Sequence, residues 1–408
     1  MAEKMLLAFG RYLKLVRERR KLSLEDVATL TKSYPEPINK GYLSRVERGL
    51  ARVGFSKMVA LSHAYEMSLD AFGEKLALDL EVDRMRDAPE TKGKTFGELT
   101  DLAINFDRRG LRWHKYVCLR DALPRAERDS LYGNFKSSAA QSIAGTLSFG
   151  SSSVGLGRYS LGLSELGHVA SRIEELPEEN RPTVYQQLAT VCVHTGRISE
   201  AKLHAGKAVM LAENAPKRFY LGGAIETQAI IAGREGNFAL AIELEKKAFA
   251  AYKVSGRRVD CARALNNLAQ SYFDLRRFQA ARRALRSADR LAATLDADSI
   301  RSRSRILLGE IELLENRPAR ASALWHEALE IARTTRDAVV HFKAEFQLFK
   351  LAIEHDNKTV LYALGRRLDR MAPWISPSEP EVPEFKRLYA IHRKPKQRSV
   401  AGSQHRES

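Results

Sequence analysis

GRISEA (196–201), GNFALA (236–241), RRFQAA (276–281) and NRPARA (316–321) align with one another at a constant spacing of 40 residues. Alanines keep the register: Ala201, Ala241, Ala281 and Ala321 recur, and so do Ala208, Ala248, Ala288 and Ala328 seven residues later. Upstream of each segment, QQLATVCVHTG, ETQAIIAGREG, NNLAQSYFDLR and ILLGEIELLEN carry a small residue at one shared position, Ala189, Ala229, Ala269 or Gly309. Each unit reads as a helix of about fifteen residues, a turn and a second helix of similar length, the plan of an antiparallel hairpin. Small residues recur where helices must approach closely. One such hairpin cannot bury its apolar face alone, so successive units must stack into a continuous core.

The units resemble the tetratricopeptide repeat, whose small residue in the first helix, Gly or Asn at the turn and Ala in the second helix all have matches here. They are longer than that family's usual length of about 34 residues. The resemblance covers residues 181 to 335. A degenerate unit is expected over 337–374 and another over roughly 140–176, since terminal units of a solenoid lose the consensus and act as caps.

Working outward, the chain divides into an N-terminal block over 1–78, a linker over 79–95, an irregular helical region with degenerate repeats over 96–180, the repeat domain over 181–375 and a basic tail over 376–408. The composition, rich in Ala, Leu, Arg and Glu, favours helix. An all-α protein is predicted. The tail, ending HRKPKQRSVAGSQHRES, is poor in apolar residues and is expected to be disordered, with a minor role towards polyanions.

The first block carries the most specific chemistry. Phe9, Leu13 and Val16 share one face of a helix over Leu6–Arg20. Ser23 precedes LEDVATL as an N-cap with Asp26 three residues on. Asn39 caps KGYLSRVERG, which stops at Gly49. In that helix Leu43 and Val46 face the core, whereas Lys40, Gly41, Ser44 and Arg45 share the outer face and Arg48 lies one turn on. A basic helix of about 15 Å held by two others has the shape that enters a major groove.

GYLSRVERG at 41–49, with SLEDVA at 23–28 and EMSLDAF at 66–72, resembles the Cro/C1-type (XRE-like) helix-turn-helix family. The resemblance implies a five-helix DNA-binding domain in which Lys40, Gly41, Ser44 and Arg45 occupy base-edge positions. It implies that Tyr42 braces the helix or touches phosphate, and that Arg17 and Glu47 form a buried ion pair. Ser23, Lys32, Asn39, Arg48 and Arg52 complete the expected DNA-binding set, Arg48 and Arg52 as phosphate contacts and Lys32 from the turn. Two departures stand out. The turn before the third helix is about five residues longer than that family's norm, through Ser33 to Pro37, and Leu24 replaces a frequent phosphate-binding Gln.

Stacked hairpins present a concave surface lined by first helices, suited to an extended peptide or a partner helix. Gln186, Gln187, Thr227, Asn266, Asn267 and Gln270 are expected to face it, with amides that pair with both groups of a peptide bond. Arg263, Arg301 and Arg303 are candidates to receive an acidic ligand. The joint architecture is similar to that of peptide-responsive quorum-sensing regulators. It implies a sequence-specific transcriptional regulator modulated by a bound peptide or protein and acting on duplex DNA as a homodimer. The alternative is an interaction scaffold whose first domain no longer binds DNA.

The net charge of +17, from 67 basic and 50 acidic residues, favours a polyanionic partner. Cys118, Cys192 and Cys261 are odd in number and widely spaced, which fits a reducing cytoplasm rather than a disulfide framework. No apolar run approaches the length of a membrane span, so neither membrane nor export is expected. APETKGKT lacks the first glycine of a phosphate-binding loop, His114 with Cys118 is a lone pair, and His194 and His204 lack convergent partners. No nucleophile, base and orienter assemble, so no enzyme activity, metal or cofactor is expected.

Overall fold

The structure is a computed structural model that describes residues 2–126, 128–133, 135–375 and 379–392. Among the described residues there is helix and no strand. Five helices make the N-terminal bundle: α1 (Ala2–Arg19), α2 (Leu24–Leu30), α3 (Lys40–Glu47), α4 (Phe55–Ala64) and α5 (Leu69–Arg84). Four follow as two hairpins, α6 (Phe96–Arg108) with α7 (Arg112–Ala122), and α8 (Ser138–Gly155) with α9 (Tyr159–Ser171). Five further hairpins are α10 (Arg181–His194) with α11 (Ile198–Asn214), α12 (Leu221–Arg234) with α13 (Phe238–Val254), α14 (Arg258–Asp274) with α15 (Phe278–Ala293), α16 (Asp298–Leu314) with α17 (Pro318–Thr335), and α18 (Ala338–Glu354) with α19 (Lys358–Met371). A last helix, α20, spans Glu381–His392.

The 40-residue register is written into the backbone. Gly196, Gly236, Arg276, Asn316 and Asp356, at successive register positions, all have left-handed φ, from 45° to 78°. At each, the residue's own amide and the next one turn back onto carbonyls of the preceding helix, as Gly236 does to Gly233 and Asn237 to Ala232. These bonds satisfy carbonyls that a helix end leaves unpaired. The small residues sit at closest approach: Ala189, Ala229 and Ala269 are buried, and a Cβ on Gly309 would stand 2.3 Å from the Trp325 indole nitrogen.

First helices of successive units touch one another and so line the inner side of the solenoid. Gly150 and Gly162 serve close packing between α8 and α9, where a Cβ on Gly162 would meet Val154 at 2.4 Å, whereas Gly155 and Gly157 face open space.

Two boundaries differ from the expected ones. The division at 78 falls within α5, because Leu78 and Val82 continue its buried stripe. In the tail, residues 381–392 are helical where disorder was expected. Val382 and Phe385 cover the last hairpin, with Phe385 packed edge-on to Phe342, Phe346 and Phe349. Apolar side chains on one face of a short helix had a surface to close. The rest of the expected disordered tail, 376–378 and 393–408, lies outside the described residues.

The N-terminal bundle shares its core with the helices behind it. Tyr116 and Val117 of α7, Phe149 of α8 and Leu161 of α9 belong to the same buried cluster as Phe9, Leu13 and Leu43. Polar contacts fix the seam. Glu165 accepts hydrogen bonds from Tyr12 and Arg19, each at 2.7 Å, and Glu74 accepts the Leu161 amide at 2.8 Å.

Candidate nucleic-acid interface and inner face of the solenoid

Local chemistry places α3. Asn39 accepts the Tyr42 amide at 2.8 Å, an N-cap that starts the helix at Lys40. Ser23 and Asp26 bond reciprocally at 3.0 and 2.7 Å, a complete capping box at the start of α2. Leu43 and Val46 are buried, and Gly10 of α1 lets the end of α3 approach, since a Cβ there would lie 2.2 Å from the Val46 carbonyl oxygen.

Arg17 ties three segments together. Its guanidinium donates to both Glu47 oxygens at 2.7 and 2.9 Å and to the Leu22 carbonyl at 2.8 Å. The paired contact with Glu47 holds the Arg17 guanidinium above its ordinary value despite burial. Bidentate pairing fixes orientation as well as distance, so the pair sets the angle of α3 against α1.

The outward side of α3 presents Lys40, Gly41, Arg45 and Arg48 to solvent, with Ser44 half-buried between them. Lys40 pairs with Glu25 at 2.7 Å, but both side chains are largely exposed, so this contact exchanges readily for another anion. Tyr42 donates to the Arg52 carbonyl at 2.6 Å and carries Lys57 over its ring at 5.3 Å. Of its two expected roles, bracing is the one with a visible partner. Arg48 bonds back to the Ser44 carbonyl at 3.1 Å, and Lys32 and Arg52 are exposed at the flanks.

The long turn is internally tied: Thr31 bridges to the Ile38 amide at 3.2 Å, and Lys57 pairs with Glu36 at 2.6 Å. Ile38 is buried. The extra residues therefore loop outward and return the chain to the core before α3. Leu24 is half-buried against the same core.

On the inner face, most of the polar residues singled out by sequence are engaged within the solenoid. Thr227 is buried and donates to the Gly223 carbonyl at 3.0 Å, inside its own helix. Asn266 accepts from Ser304 at 3.0 Å, and Gln270 donates to Asp274 at 3.0 Å. Gln186 lies against Gly223, and Gln187 is half-buried.

Arg263 and Asn267 do converge, on Glu226, at 2.7 and 3.0 Å, where Tyr252 also donates at 2.7 Å. Buried Glu245 stands beside them, its carboxyl pushed up to about 9 by burial and by Glu226. Sequence reading missed Glu226, Glu245 and Tyr252. Only Glu226, in register with Gln186 and Asn266, carried a signal; Glu245 and Tyr252 stand in register with Ala205, Leu285, Ala212 and Ala292. Arg301 contacts Asp298 at 3.0 Å, in the first turn of α16.

Residues 8–72 match a helix-turn-helix domain. The bundle just described is therefore a helix-turn-helix domain, with α3 in the second-helix position that its caps and core contacts define. Over the whole chain, the fold is similar to that of a Rap protein solved with competence and sporulation factor. Identity there is 10%, the TM-score is 0.54, and the match covers 96% of this chain and 100% of that one. This is a shared fold, an α-solenoid of tetratricopeptide-like hairpins.

More distant similarity extends to aspartyl phosphate phosphatase F from Bacillus subtilis, at 10% identity and TM-score 0.45, covering 100% of this chain and 98% of that one. It also extends to Bacillus thuringiensis PlcR in complex with the peptide PapR7 and DNA, at 11% identity and TM-score 0.34, covering 82% and 96%. No curated protein sequence matches the chain. Among the described residues, no helix is long and apolar enough to cross a membrane, and no group of three His, Cys, Asp or Glu side chains is placed to hold a metal ion.

Proposed function

We propose that this protein is a sequence-specific DNA-binding transcriptional regulator whose activity is set by a peptide or protein held on the inner face of its repeats. The carrying observation is the α3 surface. A capped, rigidly braced helix in a helix-turn-helix domain exposes Lys40, Gly41, Arg45 and Arg48 on the side opposite Leu43 and Val46. In this reading Lys40, Ser44 and Arg45 read base edges, with Gly41 allowing close approach. Arg48, Arg52 and Lys32 contact phosphates, while Ser23 and Asn39 hold the helix ends that face the backbone. Two copies with α3 helices about 34 Å apart would address a near-palindromic site.

The ligand half rests on the curvature of the solenoid and the polar lining of its first helices. The Rap protein of the same fold was solved with a bound factor, which supports a binding role for the repeats. Cytoplasmic location and the absence of catalysis belong to the same reading.

The test is a salt titration of binding to random and to selected genomic duplex. A regulator shows steep salt dependence plus a sequence-specific gain of several kcal/mol, roughly 4–10. Lys40→Ala with Arg45→Ala should remove most of the specific gain. If neither the specific nor the non-specific component changes, α3 is not the reading helix, and the scaffold alternative takes its place.

A further inference from the structure

The 40-residue register carries one more pattern. Positions 263, 303 and 343 hold Arg, Arg and Lys on the first helices α14, α16 and α18, a ladder of cations on adjacent helices packed about 8–10 Å apart. The outer rungs are paired. Arg263 meets Glu226 at 2.7 Å and Asp260 at 2.6 Å, and Lys343 meets Glu379 at 2.9 Å and Glu381 at 3.1 Å. Among the described residues, Arg303, the middle rung, makes its ion pair with Asp337 at 4.0 Å, beyond hydrogen-bond reach, and Glu379 acts on it from further off.

Asp337 is already divided. One oxygen accepts the Val340 amide at 3.1 Å as the cap of α18, and the other stands 3.6 Å from Arg112 of α7. Two guanidinium groups thus flank one carboxylate. Burial and the facing Arg112 charge push the Arg303 guanidinium below its ordinary value. Yet 41% of the Arg303 side chain is reached by solvent. Nearby, His194 lies 3.6 Å from Glu379 with its ring stacked on Tyr159 at 4.9 Å, and Arg234 adds a further positive charge. Arg112 of α7, Arg234 of α12 and Arg303 of α16 therefore cluster about Tyr159 and His194 with the carboxylates Asp337 and Glu379, three arginines to two carboxylates.

We propose that Arg303, with Arg112 beside it, anchors a carboxylate of the ligand held on the inner face, either an acidic side chain or the free C-terminus of a peptide. The guanidinium fork matches a carboxylate in two parallel hydrogen bonds. A ligand carboxylate there relieves the repulsion between the two arginines that Asp337 and Glu379 leave. This inference rests on the reading of the repeats as a ligand-binding surface.

The test starts from a displayed library of random seven-residue peptides selected on the full chain. The most enriched peptide is then remade with each acidic side chain changed to its amide and, separately, with an amidated C-terminus. One of these changes should weaken binding to the wild type at least tenfold and have no further effect on Arg303→Met. Arg303→Lys should fall between, and Arg320→Met, exposed on α17, should match the wild type. If no carboxylate couples to Arg303, the anchor is overturned while peptide binding stands. If no peptide enriches, the peptide reading fails and a sodium glutarate titration decides the anchor. A saturable rise in thermal midpoint that is lost in Arg303→Met supports it, and equal behaviour of the two proteins overturns it.

Discussion

Replacing Arg276 by glycine should make this protein more stable, although it deletes a large side chain. Arg276 closes α14 with φ 56°, at the register position where Gly196 and Gly236 have φ 76° and 78°. An L-residue held in the left-handed region costs about 1–2 kcal/mol. Glycine removes that cost but gains unfolded-state freedom, which returns about 0.4–1 kcal/mol. The Arg276 side chain is exposed, and among the described residues no carboxylate pairs with it, so no contact is lost.

The net expectation for Arg276→Gly is a gain of about 0.5–1 kcal/mol, and for Gly236→Ala a loss of about 1 kcal/mol. Asn316→Gly should change little, within a few tenths of a kcal/mol, because Asn tolerates this conformation. Urea unfolding followed by circular dichroism measures the sum. Native-state hydrogen exchange of α14 and α15 measures the local effect, which matters because repeat arrays need not unfold as one unit. A loss of stability in Arg276→Gly, or a neutral Gly236→Ala, would refute the claim that these turns share one strained geometry.

Two further expectations concern the repeats. Gly309→Ala places a methyl on the Trp325 ring, whose N–H donates to the Ile306 carbonyl at 3.2 Å; overpacking and a disturbed buried donor together should cost about 2–4 kcal/mol, read as a lower thermal midpoint and altered tryptophan emission. Glu245 has a folded value of about 9 against roughly 4.3 in an unfolded chain, so the folded state holds a proton that the unfolded state releases between them. Its contribution is complete below about pH 4 and is lost as pH rises through 9. Glu245→Gln should therefore match the wild type in acid and exceed its thermal midpoint at pH 8, and a midpoint difference independent of pH would contradict the assignment.

What was legible in the sequence follows from how local each determinant is. Asn39 and Ser23 cap helices through bonds three residues away, so the residue type and spacing suffice. Ala201, Ala241, Ala281 and Ala321 recur because packed helices leave no room for more, and all four are buried. The Arg17 and Glu47 pair, implied by resemblance, forms at 2.7 Å because the two helices carrying it are fixed by the same apolar faces.

The inner-face assignments were less legible because partners there lie a whole repeat away. Asn267 meets Glu226, and Asn266 meets Ser304, through the side-by-side packing of successive first helices rather than any local rule. The seam at Glu165 and Glu74, and the cap made by α20, depend likewise on where distant segments dock.

The same long-range contacts bear on how a ligand could reach the helix-turn-helix domain. Helix α7 supplies Tyr116 and Val117 to the core of the helix-turn-helix domain and, at its other end, Arg112 to Asp337 at the start of α18. Asp87, just beyond α5, pairs with Arg336 at 2.5 Å, and Gly110, between α6 and α7, packs against Ser299, where a Cβ would stand 2.9 Å from the hydroxyl. One end of the repeat array is thus joined to the helices that carry α3 by three contacts within the α5 to α7 segment. A ligand that draws Arg112 and Arg303 onto its own carboxylate competes with Asp337 for the first of these contacts. It can alter the domain only by its difference in affinity for the joined and parted arrangements. Asp337→Asn, which weakens the join without touching either arginine, should therefore shift DNA affinity in the same direction as ligand does. An opposite shift would show that signal and join are unrelated.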